Sequence, residues 1–144
     1  MRSKLLILAA TLALTTAAFA QTAKPAMSKT MTELQGSWVF TTTNGNDMTG
    51  QPEIVITMTD NKYVQTINGE VVERGTFKLD ETKKPIQVDL SIAEGNDAGK
   101  TQVGVMELSA GVLKAKMVDA GETTRPTDFA PADGNFVFTA VKKK

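Results

Sequence analysis

The sequence predicts an all-β protein, an eight-stranded antiparallel up-and-down barrel that follows a short N-terminal helical turn. After Ser37 no helical period remains, and short stretches of β-branched or alternating residues recur instead. Glycine, asparagine, aspartate and proline separate these stretches, as expected for hairpins between neighbouring strands. A chain of 144 residues, 41% of them hydrophobic, can form one core without disulfides. A two-sheet sandwich is the competing fold.

Residues 1–20 have the pattern of a cleaved signal peptide. A positively charged start, Met1 to Lys4, precedes the apolar run Leu5 to Leu14, and Ala18-Phe19-Ala20 supplies the small-x-small cleavage pattern. Threonines interrupt the apolar segment, which lacks the about 20 continuous apolar residues that a transmembrane helix needs. We therefore predict no membrane span and export to the periplasm or the extracellular space, with Gln21 as the first residue of the mature chain.

The domain proper is predicted over residues 30–144, after a flexible leader at 21–29 that is small and polar. Thr30 and Glu33 match the capping box, in which a hydroxyl and a carboxylate satisfy the first N–H groups of a helix. Gly36 follows so soon that a single short turn is expected.

Eight stretches are predicted to be strands. They are Trp38–Thr43, Glu53–Thr59, Lys62–Ile67, Glu70–Leu79, Ile86–Ile92, Thr101–Leu108, Val112–Val118 and Phe136–Lys142. Alternation of apolar and polar residues indicates which side chains face the core. In the sixth strand the alternation does not decide which residues face the interior, because Val103 and Val105 compete with Met106 and Leu108 for it.

The turn residues predict how these strands connect. Asn68-Gly69 is a strong signal for a two-residue type I′ hairpin, which requires positive φ at both central residues. Asp60-Asn61 and Ser109-Ala110-Gly111 predict two more tight reversals. Gly75, inside a strand pattern, indicates a bulge or a sharp bend that helps a sheet to close into a barrel.

The start of the first strand, Gly36-Ser37-Trp38 after a short helical turn, resembles the Gly-x-Trp signature of lipocalins and their calycin relatives. In that superfamily the Trp packs across the closed end of the barrel, and a basic side chain of the last strand lies over the indole. The resemblance therefore implies that Lys142 or Lys143 supplies this cation here.

Further segments resemble, in order, a family of small exported lipocalin-like proteins of unknown function that is abundant in planctomycetes. They are Gly75-Thr76-Phe77-Lys78-Leu79-Asp80, Lys84-Pro85, Gly99-Lys100-Thr101, Gly104 with Glu107-Leu108, and Arg125-Pro126-Thr127-Asp128-Phe129. The chain departs from the family pattern by lacking an aromatic near Met106 and a cysteine near Lys116, and by having Asp128 in place of Glu. The resemblance implies a fold and an export route, and it transfers no catalytic residue.

Composition excludes several classes of chemistry. The sequence contains no His and no Cys, which removes the Ser-His-Asp triad, thiolate chemistry and the usual ligands of zinc or haem. No metal site and no cofactor is predicted, since Glu94-Gly95-Asn96-Asp97 is typical of a turn and the methionines form no copper-binding cluster. Equal numbers of acidic and basic residues predict no nucleic-acid partner, with Lys142-Lys143-Lys144 as a solvated tail.

The predicted function is non-catalytic binding of a small apolar or amphipathic ligand inside the barrel. Such a ligand is expected to require a cavity of about 300 Å³ or more inside the barrel. The residues predicted to line the cavity alternate along the strands and are Phe40, Ile56, Met58, Tyr63, Phe77, Leu90, Val105, Leu113, Met117 and Phe138. A carboxylate hydrolase is a weaker hypothesis, because only Glu107 is a candidate for an acidic residue on an apolar face.

The alternative function is an interaction module with a filled core that contacts a protein, so far unknown, or an envelope polymer. Its candidate surface is the long connection from Asp119 to Gly134, with Arg125, Asp128 and Phe129. The same connection could guard the barrel mouth. In a purely structural role, Arg125 and Asp128 would form a local ion pair while Phe129 plugged one end of the core.

Overall fold

The computed structural model describes residues 23–144, and the predicted signal peptide lies outside the described residues. One short helix precedes nine strands. Their bounds are α1 Lys29–Leu34, β1 Gly36–Thr43, β2 Asn46–Asp47, β3 Ile54–Thr59, β4 Lys62–Ile67, β5 Glu70–Asp80, β6 Ile86–Glu94, β7 Thr101–Ser109, β8 Val112–Val118 and β9 Asn135–Lys142. Among the described residues, no helix is long and apolar enough to cross a membrane.

The strands close into an eight-stranded antiparallel barrel. From β3 to β9 each strand pairs with the next one along the chain, and β9 returns to pair with β1, where Trp38 lies opposite Lys142. The predicted fold is thereby confirmed, and each of the eight predicted strands is present to within two residues at either end. The unpredicted β2 lies outside this ring, where it pairs with the end of β1 after the turn at Asn44-Gly45.

The predicted hairpin turns have the backbone that their residues favour. Asn68 and Gly69 have φ values of 50° and 83°, as a type I′ turn requires, and Ile67 lies directly opposite Glu70. Ala110 and Gly111 also have positive φ, at 50° and 75°. These short turns set the register of the strands that they join.

The predicted bend at Gly75 is also present. The register of β5 against β6 shifts between Arg74 and Gly75. A Cβ on Gly75 would overlap the carbonyl oxygen of Ser91 and lie 2.9 Å from Cε1 of Tyr63. Glycine therefore lets β5 and β6 approach closely, and it leaves room for the Tyr63 ring inside the barrel.

Helix α1 covers one end of the barrel. Its N-cap is Ser28, whose Oγ accepts a hydrogen bond from the Met31 amide at 3.1 Å, so the predicted capping box starting at Thr30 is wrong. The hydroxyl two residues earlier reaches the free N–H groups first. Leu34, at the end of α1, is fully buried, and its carbonyl accepts a hydrogen bond from Nε1 of Trp38 at 2.8 Å.

The structure also shows which residues of β7 point into the barrel. Met106 belongs to the buried core and Leu108 packs against it, whereas Val103 and Val105 occupy the alternate positions on the outer face. Val105 is nevertheless only 2% exposed. The connection between β8 and β9, residues 119–134, lies against this part of the outer face, where Arg125 donates to the carbonyl of neighbouring Gly104, so a position outside the barrel is buried as well.

Candidate functional site

The interior of the barrel contains a cavity of about 220 Å³, which is smaller than the expected size of about 300 Å³ or more. The wall is mostly apolar, with three polar side chains. The lining residues are Phe40, Ile56, Met58, Gln65, Glu73, Val88, Leu90, Gln102, Met106, Leu113, Met117, Phe136 and Phe138. Because alternate residues of a strand point to the same side, each of the eight strands of the barrel contributes to this wall.

Seven of the ten residues predicted to contact a ligand line this cavity. Tyr63 and Phe77 instead lie in the surrounding core, where they are 1% and 3% exposed. Val105 does not line the cavity, because it points to the outer face of β7. The seven that do are Phe40, Ile56, Met58, Leu90, Leu113, Met117 and Phe138.

Three phenylalanines form a continuous aromatic surface on β1 and β9. The rings of Phe40 and Phe138 stack with centroids 4.1 Å apart and planes inclined by 7°. Phe136 lies tilted against both rings, at 6.2 Å from Phe40 and 5.8 Å from Phe138. Such close ring packing holds the apolar side of the cavity in a fixed shape.

Glu73 is a polar residue of the cavity that sequence reasoning missed. The Asn68-Gly69 hairpin would place Val72 opposite Gln65, but β5 has one extra residue there and Glu73 takes that position. The bulge leaves Val72 40% exposed and turns Glu73 toward the interior. Gln65 could have been found, because it lies two residues beyond the inward-facing Tyr63.

A tyrosine orients the Glu73 carboxylate. The Tyr63 hydroxyl donates a hydrogen bond to Oε1 of Glu73 at 2.8 Å. Burial raises the pKa of Tyr63 well above its usual value, and the hydrogen bond to Glu73 and its negative charge act in the same direction. Tyr63 therefore remains protonated and acts as a donor to the carboxylate.

The residues of the predicted signature meet at the closed end of the barrel. The Nζ atom of Lys142 lies 5.4 Å from the centroid of the Trp38 ring and donates to the Glu33 carbonyl at 2.8 Å. Lys143 instead reaches Oε1 of Glu53 at 2.9 Å. Of the two lysines that the sequence left open, the structure places Lys142 over the indole, and Gly36 adopts a φ of 104° beside it.

Arg125 fastens the 119–134 connection to the outside of the barrel. Its guanidinium donates to the carbonyls of Val88 and Gly104, both at 2.9 Å, and to Asp89 Oδ1 at 2.5 Å. The predicted local ion pair between Arg125 and Asp128 is therefore wrong. The guanidinium fork instead reaches two neighbouring strands, β6 and β7, that are remote in sequence.

Asp128 pairs with a lysine of β8. Lys116 Nζ donates to Asp128 Oδ1 at 3.2 Å and to the Ala130 carbonyl at 2.6 Å, although only 7% of the Lys116 side chain is exposed. The hydrogen bond from Lys116 holds the pKa of Asp128 below its ordinary value, and the Ala130 amide adds to this effect. Asp128 thus balances the charge of a buried ammonium group.

Phe129 lies outside the barrel too. The Nζ atom of Lys114 is 4.9 Å from the centroid of its ring, and Lys114 alternates with the inward-facing Leu113 and Ala115. The expectation that Phe129 plugs one end of the core is therefore wrong. Its position on the outer surface follows from the attachment of the connection at Arg125 and Asp128.

The other acidic candidates lie apart from the cavity. Asp97 pairs with Lys100 at 2.8 Å, and Glu94 lies 3.4 Å from Arg74. Glu107 is exposed on the outer face of β7. Within residues 23–144, no group of three or more acidic residues could hold a metal ion, and Glu73 is the one carboxylate among the described residues that line the cavity.

Comparison of the chain with family models, with curated proteins and with solved structures found no match. The lipocalin-like resemblance therefore stays a prediction from the residues quoted for it, and any function has to be inferred from the geometry of the cavity.

Proposed function

We propose that the protein binds one small apolar or amphipathic molecule inside the barrel and does not transform it. The observation that carries the proposal is the cavity of about 220 Å³. A cavity of about 150 Å³ lined by apolar side chains is large enough for benzene. The volume here falls below the about 300 Å³ of typical drug-sized pockets, so the ligand is a single substituted ring or a short chain.

The same observation favours ligand binding over the interaction module. A module with a filled core needs no internal cavity. Two residues of its candidate surface, Arg125 and Asp128, hold the 119–134 connection against the barrel. We further propose that the protein is exported and belongs to the lipocalin-like family. The N-terminal sequence pattern and the quoted motifs support these two proposals.

Methionine methyl groups give a direct test of ligand binding. Met58, Met106 and Met117 line the cavity, whereas Met27 is exposed ahead of helix α1. We expect 2-phenylethanol to shift the ¹³C-methyl signals of the three lining methionines in a saturable way and to leave the Met27 signal in place. Shifts that never saturate, or that affect Met27 equally, would contradict the proposal.

A cavity-filling substitution gives the second test. Leu90→Phe enlarges a side chain that lines the cavity, at an overpacking cost of about 1–3 kcal/mol. It should weaken probe binding at least tenfold if the variant folds. The matched control, Val141→Phe, adds similar bulk at a site on β9 that is 39% exposed, and it should leave binding unchanged. Unchanged binding in folded Leu90→Phe would place the probe elsewhere.

A further inference from the structure

The cavity differs from a neutral apolar pocket because its wall carries one carboxylate, Glu73, beside the amides of Gln65 and Gln102. Gln102 uses its Nε2 group to donate to the Val118 carbonyl at 2.7 Å. Its amide oxygen can accept a hydrogen bond from a ligand, and Gln65 offers a second amide on the same wall. Glu73, also on the wall, has no hydrogen to donate when it is ionised.

Glu73 also has no lysine or arginine partner among the described residues. Its Oε1 accepts the hydrogen bond from Tyr63. Among residues 23–144, the ion pairs of the lysines and arginines all go to other carboxylates. The second oxygen, Oε2, receives no hydrogen bond from the described residues. A half-buried carboxylate next to apolar walls is thus oriented by a neutral hydroxyl and left without a counter-charge.

We propose that the ligand is a small primary amine with an apolar body, and that its ammonium group binds the carboxylate of Glu73. This inference rests on the proposed function, since it specifies the ligand of the same cavity. The apolar body lies against the stacked rings of Phe40 and Phe138. Tyr63 is a positioning residue, because its hydrogen bond fixes the carboxylate while leaving one oxygen for the ligand.

The chemistry of the wall selects the amine over its isosteres. An ammonium group has three donors and no acceptor, which matches the carboxylate of Glu73 and the amide oxygens of Gln65 and Gln102. The ammonium and carboxylate groups carry opposite charges that attract each other in a partly buried site, whereas an alcohol of similar shape is uncharged and binds less tightly. A ligand carboxylate would bring a second negative charge close to Glu73 and is disfavoured.

Three probes that share a phenylethyl body test the assignment on the unmodified protein. We expect 2-phenylethylamine to bind at least tenfold more tightly than 2-phenylethanol, and 3-phenylpropanoate to bind more weakly than the alcohol. Dissociation constants come from the methyl shifts of Met58, Met106 and Met117 at neutral pH. Equal affinities for amine and alcohol would overturn the amine assignment and leave ligand binding intact. A lack of shifts with all three probes would overturn both proposals.

A variant without the charge at residue 73 tests whether Glu73 causes the preference for the amine. Glu73→Gln keeps an oxygen that can accept from Tyr63, and it should abolish the amine preference, so that the amine binds no more tightly than the alcohol. The matched control is Glu107→Gln, which removes the same charge from an exposed site on the outer face of β7. An amine preference that survives in Glu73→Gln, or that is lost equally in Glu107→Gln, would contradict the role of Glu73.

Discussion

At the scale of single residues, Gly75 has no room for a side chain. A side chain there meets the backbone carbonyl of Ser91, which cannot rotate away as a flexible side chain could. We expect Gly75→Ala to lower the free energy of unfolding by about 1–3 kcal/mol, the usual cost of overpacking. Urea denaturation followed by circular dichroism measures this change.

The control for Gly75→Ala is its neighbour on the outer face. Thr76 is exposed, so Thr76→Ala should change the free energy of unfolding by no more than about 0.5 kcal/mol. If both substitutions cost the same small amount, β5 and β6 do not approach as closely at Gly75 as the structure shows.

At the scale of an element, the 119–134 connection depends on the guanidinium of Arg125. The hydrogen bonds to Val88, Gly104 and Asp89 tie it to β6 and β7, and a hydrogen bond that involves a charged group contributes about 1.5–3 kcal/mol. We expect Arg125→Met to release the connection and to uncover Val105. Faster amide hydrogen exchange over residues 121–134, with the barrel strands still protected, would show this release.

The control for Arg125→Met is an arginine with a solvent-exposed ion pair. Arg74 lies 3.4 Å from Glu94, and about half of its side chain is exposed. Arg74→Met should cost less than about 1 kcal/mol and leave exchange in the connection unchanged. Equal effects of the two substitutions would mean that Arg125 does not hold the connection in place.

At the scale of the whole molecule, stability depends on the pairing of β1 with β9, because this ladder closes the sheet. Val141 pairs with Val39 on one side and with Val112 on the other. Val141→Pro removes an N–H group from a strand with neighbours on both sides, and we expect a loss of about 3 kcal/mol or more. Loss of the β-sheet circular dichroism signal, or a much lower urea midpoint, measures it.

Lys144→Pro provides the comparison for Val141→Pro. Lys144 lies beyond the end of β9 and takes no part in the ladder, so its replacement should leave the urea midpoint unchanged. A barrel that tolerates proline equally at both positions would not depend on closure by β9.

The sequence alone determined the features that local chemistry controls. Strand bounds followed from alternation, and the turns at Asn68-Gly69 and Ala110-Gly111 followed from residues that accept positive φ. The inward-facing phenylalanines Phe40 and Phe138 followed from the same period of two. These features could be predicted because each depends on residues close together in the chain.

Only the tertiary structure decided what the cavity contains and where the long connection lies. One extra residue at Val72 reverses the facing of the positions around it, which brings Glu73 inside, and no turn residue marks that bulge in the sequence. Arg125 pairs with Asp89, 36 residues away, rather than with Asp128, three residues away. The physical reason is the same in both cases, since pairing between distant segments, and not local preference, fixes which groups meet.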